Sequence, residues 1–415
     1  MAVAVSIGLL LLVCQWWIAP GEGLIPSELY PAGWPARQYP TTLHRAIVDG
    51  VATNEVPNGL MIAHDSLKTA FGVLLASSDG TTADEIGEAM SVPMPSQKSA
   101  QDRLVNTEPR HLIPATDKFK EFSYTGVYIP PQLSVRPDYE DKIRDMGVDL
   151  VPALRNGTLE TLSTKLEAIS SELKDATSSD DMPYELKQQP EVFVVTAASF
   201  KAVWADAEFH NENRRMREFN VDERRRTFVD TLYSLAKRRQ LAHLHELRAT
   251  MLLLPLKGSR VKFMVLLPDQ INGLRQLEKE LEFVDLRSLL RKKMDTRRFD
   301  VRLPVMNVVT NIELADNLGF LGIRKVFNPK QADLSRITGK KQRLRVRRFQ
   351  HLTHFELNEQ GINFHKFDIK ARVRHDGKTQ NHFYASHPFF FALVDEFKIY
   401  ATGRYGQLTV DPDDI

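Results

Sequence analysis

An α+β fold built on a large mixed sheet is predicted by three features of the sequence. Helical patterns stand early in the folded region, long strand patterns dominate the remainder of the chain, and the segment Glu191 to Phe200 is apolar and β-branched with no polar alternation. A strand of that last kind has to be covered on both faces, so it belongs in the middle of a sheet with layers above and below it. Helices leading into runs of strands, rather than strict alternation, separate α+β from α/β architectures. No self-similarity with a period of about 20–50 residues is present, which excludes solenoids and propellers.

The first segment, Ala2 to Ile18, is one apolar run holding Leu9, Leu10, Leu11, Leu12, Val13, Trp16 and Trp17. A membrane-spanning helix needs about 20 such residues, so the run fits a secretory signal over 1–22 better than an anchor. Ala19, Gly21 and Gly23 supply small residues for cleavage, although only the α-amino group stands in for a basic leading segment. Cys14, the single cysteine, then leaves with the signal. The mature chain is expected to be cysteine-free, suited to an oxidising extracellular space without a disulfide framework. Residues 23–42 hold Pro26, Pro31, Pro35 and Pro40 and read as a Pro-rich leader. A single domain is expected over 43–410, with the acidic tail 411–415 after it. A secreted monomer with no stable membrane anchor is the overall expectation.

Within the domain, Asp65 to Met90 reads as a helix, a break and a second helix. Ser66 is expected to cap the first, whose apolar side is Leu67, Ala70, Phe71, Leu74 and Leu75. Thr81 or Thr82 is expected to cap the second, with Asp84 and Glu85 in an acidic first turn. Thr250 to Leu256 and Val261 to Leu267 form a hairpin across Lys257-Gly258-Ser259-Arg260. Phe299 to Leu303 and Arg343 to Leu357 are further strands, and Phe389 to Val394 with Lys398 to Tyr405 close the domain as a hairpin around Asp395-Glu396.

Composition narrows the function classes. Fifty-five Lys and Arg balance 53 Asp and Glu, so a net charge of +2 gives no ground for nucleic-acid binding. With 42% apolar and 26% charged residues the chain is globular rather than disordered. The signatures of catalysis are missing. His245-Glu246 opens a zinc-protease pattern, but Ala249 stands where the second histidine would fall. There is no Gly-x-Ser-x-Gly elbow, no phosphate loop and no cysteine pair for zinc. No catalytic residue, metal or cofactor is expected, and the protein does not read as an enzyme.

Two surface features remain. Arg343, Arg345 and Arg347 alternate with Leu344 and Val346, and Arg348 comes next. On a strand this places three guanidinium groups on one face, either a solvated surface or a site for a polyanion such as a sulfated glycan. Asn156-Gly157-Thr158 is an N-glycosylation tripeptide.

From Asn58 to Gly406 the sequence resembles the serpin family. The residues that carry the resemblance are Asn58 to Met90 around Gly80-Thr81-Thr82-Ala83-Asp84-Glu85-Ile86, and Val194-Val195-Thr196-Ala197-Ala198-Ser199-Phe200-Lys201-Ala202-Val203-Trp204. They continue through Leu254-Pro255-Leu256-Lys257-Gly258, Leu266-Leu267-Pro268-Asp269, Asn317-Leu318-Gly319, Val326-Phe327 with Ala332-Asp333-Leu334-Ser335, Phe355 to Gly361, and His387-Pro388-Phe389-Phe390-Phe391 with Gly403-Arg404. The resemblance implies three β-sheets, eight or nine helices and an exposed reactive loop offered to a serine protease. After cleavage that loop joins the large sheet as a new strand. It also implies a sheet-opening cluster. Ser66 and His351 match the family there, whereas Thr196 replaces the usual Asn and Ala63-His64 replaces Ser-Pro.

The hinge of the implied loop runs Glu359-Gln360-Gly361-Ile362-Asn363-Phe364-His365-Lys366-Phe367-Asp368. Inhibitory serpins have a small hydroxyl residue at the Ile362 position and Ala-like residues from Phe364 to Phe367. An inserting strand slips between two existing strands and buries one face at once; period-2 alternation puts Ile362, Phe364, Lys366 and Asp368 on one face and Asn363, His365, Phe367 and Ile369 on the other, so in either case large or charged groups enter a covered sheet. Burying Lys366 and Asp368 costs on the order of several kcal/mol per ion, and overpacking by Phe364 or Phe367 about 1–3 kcal/mol each. The expectation is therefore a non-inhibitory or weakly inhibitory protein that acts by binding. The alternative is an inhibitor of trypsin-like proteases, with bait near His375 and cleavable neighbours at Arg372, Arg374 and Lys378.

Overall fold

A computed structural model describes residues 39–50, 59–90, 119–152, 158–174, 176, 191–205, 209, 214–363 and 381–406. The expected signal, the leader up to residue 38, Asn156, the hinge residues Phe364, Lys366 and Phe367, the bait candidates Arg372, Arg374, His375 and Lys378, and the tail 411–415 lie outside the described residues.

In chain order the described elements begin with α1 (Tyr39–Gly50), β1 (Gly59–Ala63), α2 (His64–Ser77), α3 (Gly80–Ala89), β2 (Phe119–Ile129), α4 (Pro137–Asp145), β3 (Asp149–Pro152), α5 (Thr158–Ile169) and β4 (Glu191–Val203). They continue with β5 (Arg215–Asn220), β6 (Arg226–Leu244), β7 (Ala249–Pro255), β8 (Lys262–Pro268), α6 (Leu274–Leu281), α7 (Leu286–Leu289), β9 (Asp295–Pro304) and β10 (Met306–Glu313). The last are α8 (Leu314–Asn317), α9 (Ser335–Thr338), β11 (Arg345–Leu357), β12 (Gly361–Ile362), β13 (His382–Tyr384), β14 (Phe389–Val394) and β15 (Ile399–Tyr405). Helix α1 starts at Tyr39, inside the segment expected to be leader.

Two hydrogen-bonded sheets result. The six-stranded sheet runs β10-β11-β12-β4-β2-β3, with β11 also paired directly to β4. The nine-stranded sheet runs β1-β15-β14-β8-β7-β6-β9-β13, with β5 on β6. The two smaller sheets implied by the resemblance are continuous here, because the 19-residue β6 passes through both and shifts register between Ser234 and Lys237.

Strand β4 is buried along nearly its whole length, as its unbroken apolar character predicts. Phe193, Val195 and Ala197 lie under Leu162 and Leu166 of α5. On the opposite side, Val192 and Val194 join the core that holds α2 and α3, and Ala198, Phe200 and Ala202 join the core between the sheets.

Local capping differs from the sequence expectation. The Ser66 hydroxyl sits inside the first turn of α2 and donates back to the carbonyl of Ala63, which is the N-cap. Asp79 rather than a threonine caps α3, accepting from the N–H of Gly80, and that helix has no acidic residue in its first turn. Thr82 is used at long range instead: its Oγ1 accepts from the N–H of Asp333 at 3.1 Å. A tertiary partner prevails over a local cap when the hydroxyl is buried and has to be paired.

Candidate functional site

The candidate site is a fork in the six-stranded sheet. Strands β4 and β11 are parallel and pair directly from Glu191 and Arg345 up to Ser199 and His354. Past that pair they separate, and the two-residue β12 fills the wedge antiparallel to both: Ile362 pairs with Leu357 and Ala202, and Gly361 pairs with Val203. The start of the hinge is therefore already in the sheet.

Each residue around the wedge has a definite job. Gly361 has φ +152°, and a Cβ there would stand 2.0 Å from the Ala202 carbonyl oxygen, so only glycine lets the chain pass. The Gln360 carbonyl accepts from the Trp204 N–H at 3.2 Å, and the Trp204 indole Nε1 donates to the Asn358 carbonyl at 3.0 Å. Arg214 reaches Glu359 at 3.4 Å and Asp230 at 2.6 Å, tying the hinge base to β6.

Ile362 is fully buried, in the core that contains Phe200, Ala202, Trp204, Phe355 and Leu357. The resemblance implies a small hydroxyl residue at this position, and isoleucine stands there instead. The wedge is lined by hydrocarbon, so a branched aliphatic side chain fits it. In a regular continuation of β12, Phe364, Lys366 and Asp368 follow Ile362 toward the inter-sheet core.

The three cluster residues Ser66, Thr196 and His351 are brought together at the β1–α2 junction. His351 Nε2 accepts from the Ala63 N–H at 3.2 Å, so the ring proton is on Nδ1, which donates to Thr196 Oγ1 at 2.7 Å. Ser66 Oγ donates to the Ala63 carbonyl at 3.1 Å. Threonine, standing where the resemblance expects Asn, accepts the ring proton of His351. Burial lowers His351 from its ordinary value to about 3. Thr353 Oγ1 donates to the Met61 carbonyl at 2.8 Å and Met61 N–H donates to Thr310 Oγ1 at 3.0 Å, which stitches β1 of one sheet across β10 and β11 of the other.

The basic strand differs from its expected form. Arg343 precedes β11, Leu344 and Val346 are buried between the outward Arg343, Arg345 and Arg347, and the register shift between Val346 and Arg348 puts Arg348 out of that alternation. Arg345 donates to Glu191 from Nε at 3.1 Å and Nη2 at 2.7 Å, and Arg347 approaches the same carboxylate at 3.5 Å. Glu191 neutralises part of the positive face.

A buried polar chain that sequence patterns did not reveal lies next to the cluster. His44 on α1 contacts Glu278 of α6 through Nε2 at 3.2 Å and Thr402 of β15 through Nδ1 at 3.1 Å. His64 Nε2 meets the same Thr402 hydroxyl at 2.9 Å, and Arg404 Nη1 donates to Glu278 at 3.3 Å. Burial, with His44 and His351 nearby, lowers His64 to about 3. Burial alone would raise Glu278, but Arg404 and His44 outweigh it and hold the carboxylate below its ordinary value. Single polar residues in separate elements leave no local signal. Among the described residues no group of three or more His, Cys, Asp or Glu side chains could hold a metal, and no helix is long and apolar enough to cross a membrane.

Comparison with known proteins bears on the family and the fold. The sequence profile described as "Serpin (serine protease inhibitor)" matches residues 51–407. Ovalbumin of Gallus gallus is 29% identical over 215 residues, a match that spans 51% of this chain and 53% of ovalbumin. Serine protease inhibitor 42Dd of Drosophila melanogaster is 23% identical over 357 residues, 83% of this chain and 90% of that protein. Among solved structures, Serpin48 of the insect Tenebrio molitor superposes with a TM-score of 0.71 at 20% identity, covering 89% of this chain and 96% of its own. Uncleaved ovalbumin gives a TM-score of 0.70 at 19% identity, covering 88% of this chain and 98% of its own.

Proposed function

Because the chain belongs to the serpin (serine protease inhibitor) family, we propose that it is a secreted serpin that inhibits weakly or not at all and acts by binding. The observation that carries this reading is the seat of Ile362 in the inter-sheet core. Continued insertion would send Phe364, Lys366 and Asp368 the same way, and each buried ion costs on the order of several kcal/mol. The strands that would have to part are paired along Arg345–His354 of β11. Loop insertion has to outrun hydrolysis of the trapped intermediate, so a slow hinge yields a substrate in place of an inhibitor. The relatives include both ovalbumin and named protease inhibitors.

One preparation tests the reading. Expressed with its own N-terminus, the protein is expected in the medium, starting near residues 20–24. Trypsin is expected to cut within Arg372 to Lys378 without forming an SDS-stable complex, and the cut chain should melt near the intact one. Changing Phe364, His365, Lys366 and Phe367 to Ala while keeping Ile362 should restore part of the stabilisation that insertion brings. An SDS-stable complex, or a gain of tens of degrees on cutting the unmodified chain, makes it an inhibitor of trypsin-like proteases. A cell-retained chain starting at Met1 removes the extracellular assignment.

A second reading, polyanion binding around Arg343, Arg345, Arg347 and Arg348, is favoured by the 51% exposure of the Arg347 side chain. Glu191 competes with any anion for Arg345 and Arg347. Glu191→Gln is therefore expected to elute from heparin at higher salt than the wild type, and the Arg345→Ala, Arg347→Ala pair at lower salt, because fewer contacts release fewer counterions. Wild type that flows through heparin at physiological salt overturns this reading. Asn156 is the proposed glycan acceptor, and a mass unchanged by glycosidase overturns that.

A further inference from the structure

The hinge pairs in the sheet at Gly361 and Ile362, and the side chain of the next residue, Asn363, stands at the fork. Asn363 has φ +45°, the left-handed region that turns the chain out of the strand direction. Its own N–H donates to the Glu356 carbonyl at 2.9 Å. Its side-chain Oδ1 accepts from the Glu356 N–H at 2.6 Å. A residue in an antiparallel ladder exchanges both bonds with its partner through its backbone N–H and C=O. Here the side-chain carbonyl supplies the acceptor that the turned backbone has taken away.

The other half of the amide reaches across the fork. Asn363 Nδ2 donates to the His354 carbonyl of β11 at 3.2 Å and to Ser199 Oγ of β4 at 3.4 Å. His354 and Ser199 are the last directly paired residues of the β4–β11 ladder. The orientation of the amide is set by its partners: Glu356 N–H can only donate and the His354 carbonyl can only accept. His354 is itself held from both ring nitrogens, by Ser170 at 2.7 Å and Asn307 at 3.1 Å.

We propose that Asn363 is the stop of the hinge: its carboxamide imitates one further inserted peptide group, closes the fork at the His354–Ser199 pair, and parks the loop at two residues of insertion. Going deeper has to break the amide's bonds to Glu356, His354 and Ser199 together with the ladder pair they span. Going outward has to lift Ile362 from the core and give up the Trp204 N–H bond to Gln360. Asn363 is thereby a positioning residue, and it rests on reading Glu359 to Asp368 as the hinge, although its contacts stand whatever the loop does to a protease.

The test is site-resolved amide hydrogen exchange on the full mature chain. Asn363→Gly keeps the left-handed backbone and removes only the carboxamide. Asn363→Asp keeps the shape and the acceptor for Glu356 but sets a carboxylate against the His354 carbonyl. Exchange at Glu356 and Ile362 is expected to rise at least tenfold in Asn363→Gly and by less in Asn363→Asp, with amides in the middle of β14 and β15 unchanged. Those two strands report global stability, so a variant that merely unfolds is recognised. Wild-type protection at Glu356 and Ile362 in Asn363→Gly overturns the proposal, since the backbone turn alone would then be the stop. Loss of protection in Asn363→Gly, together with hyperstabilisation of the cleaved wild type, would leave the stop standing and overturn only the non-inhibitory reading.

Discussion

Glu278→Ala destabilises the protein by about 3–5 kcal/mol, the loss expected when one partner of a buried ion pair is removed and the other stays behind. The Glu278 side chain has no exposure, and the Arg404 side chain has 10%. Once the carboxylate is gone, the Arg404 guanidinium keeps its burial and loses its counter-charge, and His44 loses the acceptor at 3.2 Å. The damage is spread over three elements, because Glu278 is on α6, His44 on α1 and Arg404 on β15. Urea unfolding measures the loss. The double variant Glu278→Leu, Arg404→Met is expected to recover most of it, since an apolar pair of similar volume leaves no uncompensated charge. A loss below about 1 kcal/mol in Glu278→Ala would mean that water reaches the site and screens Arg404.

The second large effect is acid lability that begins well above the carboxylate range. His64 and His351 are both lowered to about 3 in the folded chain by burial, with His44 and His351 adding to the effect at His64. In the unfolded chain each returns to about 6.5. Between these values the unfolded state binds more protons, so the stabilisation is complete above pH 6.5 and is lost as pH falls toward the folded value. Two such histidines give a loss of about 4 kcal/mol between pH 7 and pH 5, counted at 1.36 kcal/mol per pKa unit. Exposed carboxylates stay ionised over this interval and do not obscure it. The groups facing the two rings are His44, Thr402, Thr196 and the Ala63 backbone, with Glu278 beyond His44. Urea midpoints at pH 7 and pH 5 measure the slope, and His64→Gln and His351→Gln should each remove about half of it. A midpoint unchanged between those pH values would show that both rings reach solvent when protonated.

The sequence by itself determined those features that neighbours along the chain encode. The covered strand β4, the β7–β8 and β14–β15 hairpins, the α2–α3 pair and the ordered segments that mark a serpin were legible because helix and strand periods repeat within a few residues. Strands β2 and β10 and the long β6 went unassigned, because their stability comes from partners far away in the chain rather than from their own pattern. Tertiary structure alone decided the site. Whether Ile362 obstructs or fits depended on what lines the wedge, and that lining comes from Leu357 just before it and from Phe200 and Ala202 on β4, a strand distant in sequence. The role of Asn363 depended on a left-handed backbone that places its amide between His354 and Ser199, the latter 164 residues away. His44 and Thr402 lie 358 residues apart and carry no mark of their contact. A local pattern reports which face a residue turns inward; only the fold decides which other buried polar groups it meets there, and a buried polar group is stable or costly according to that meeting.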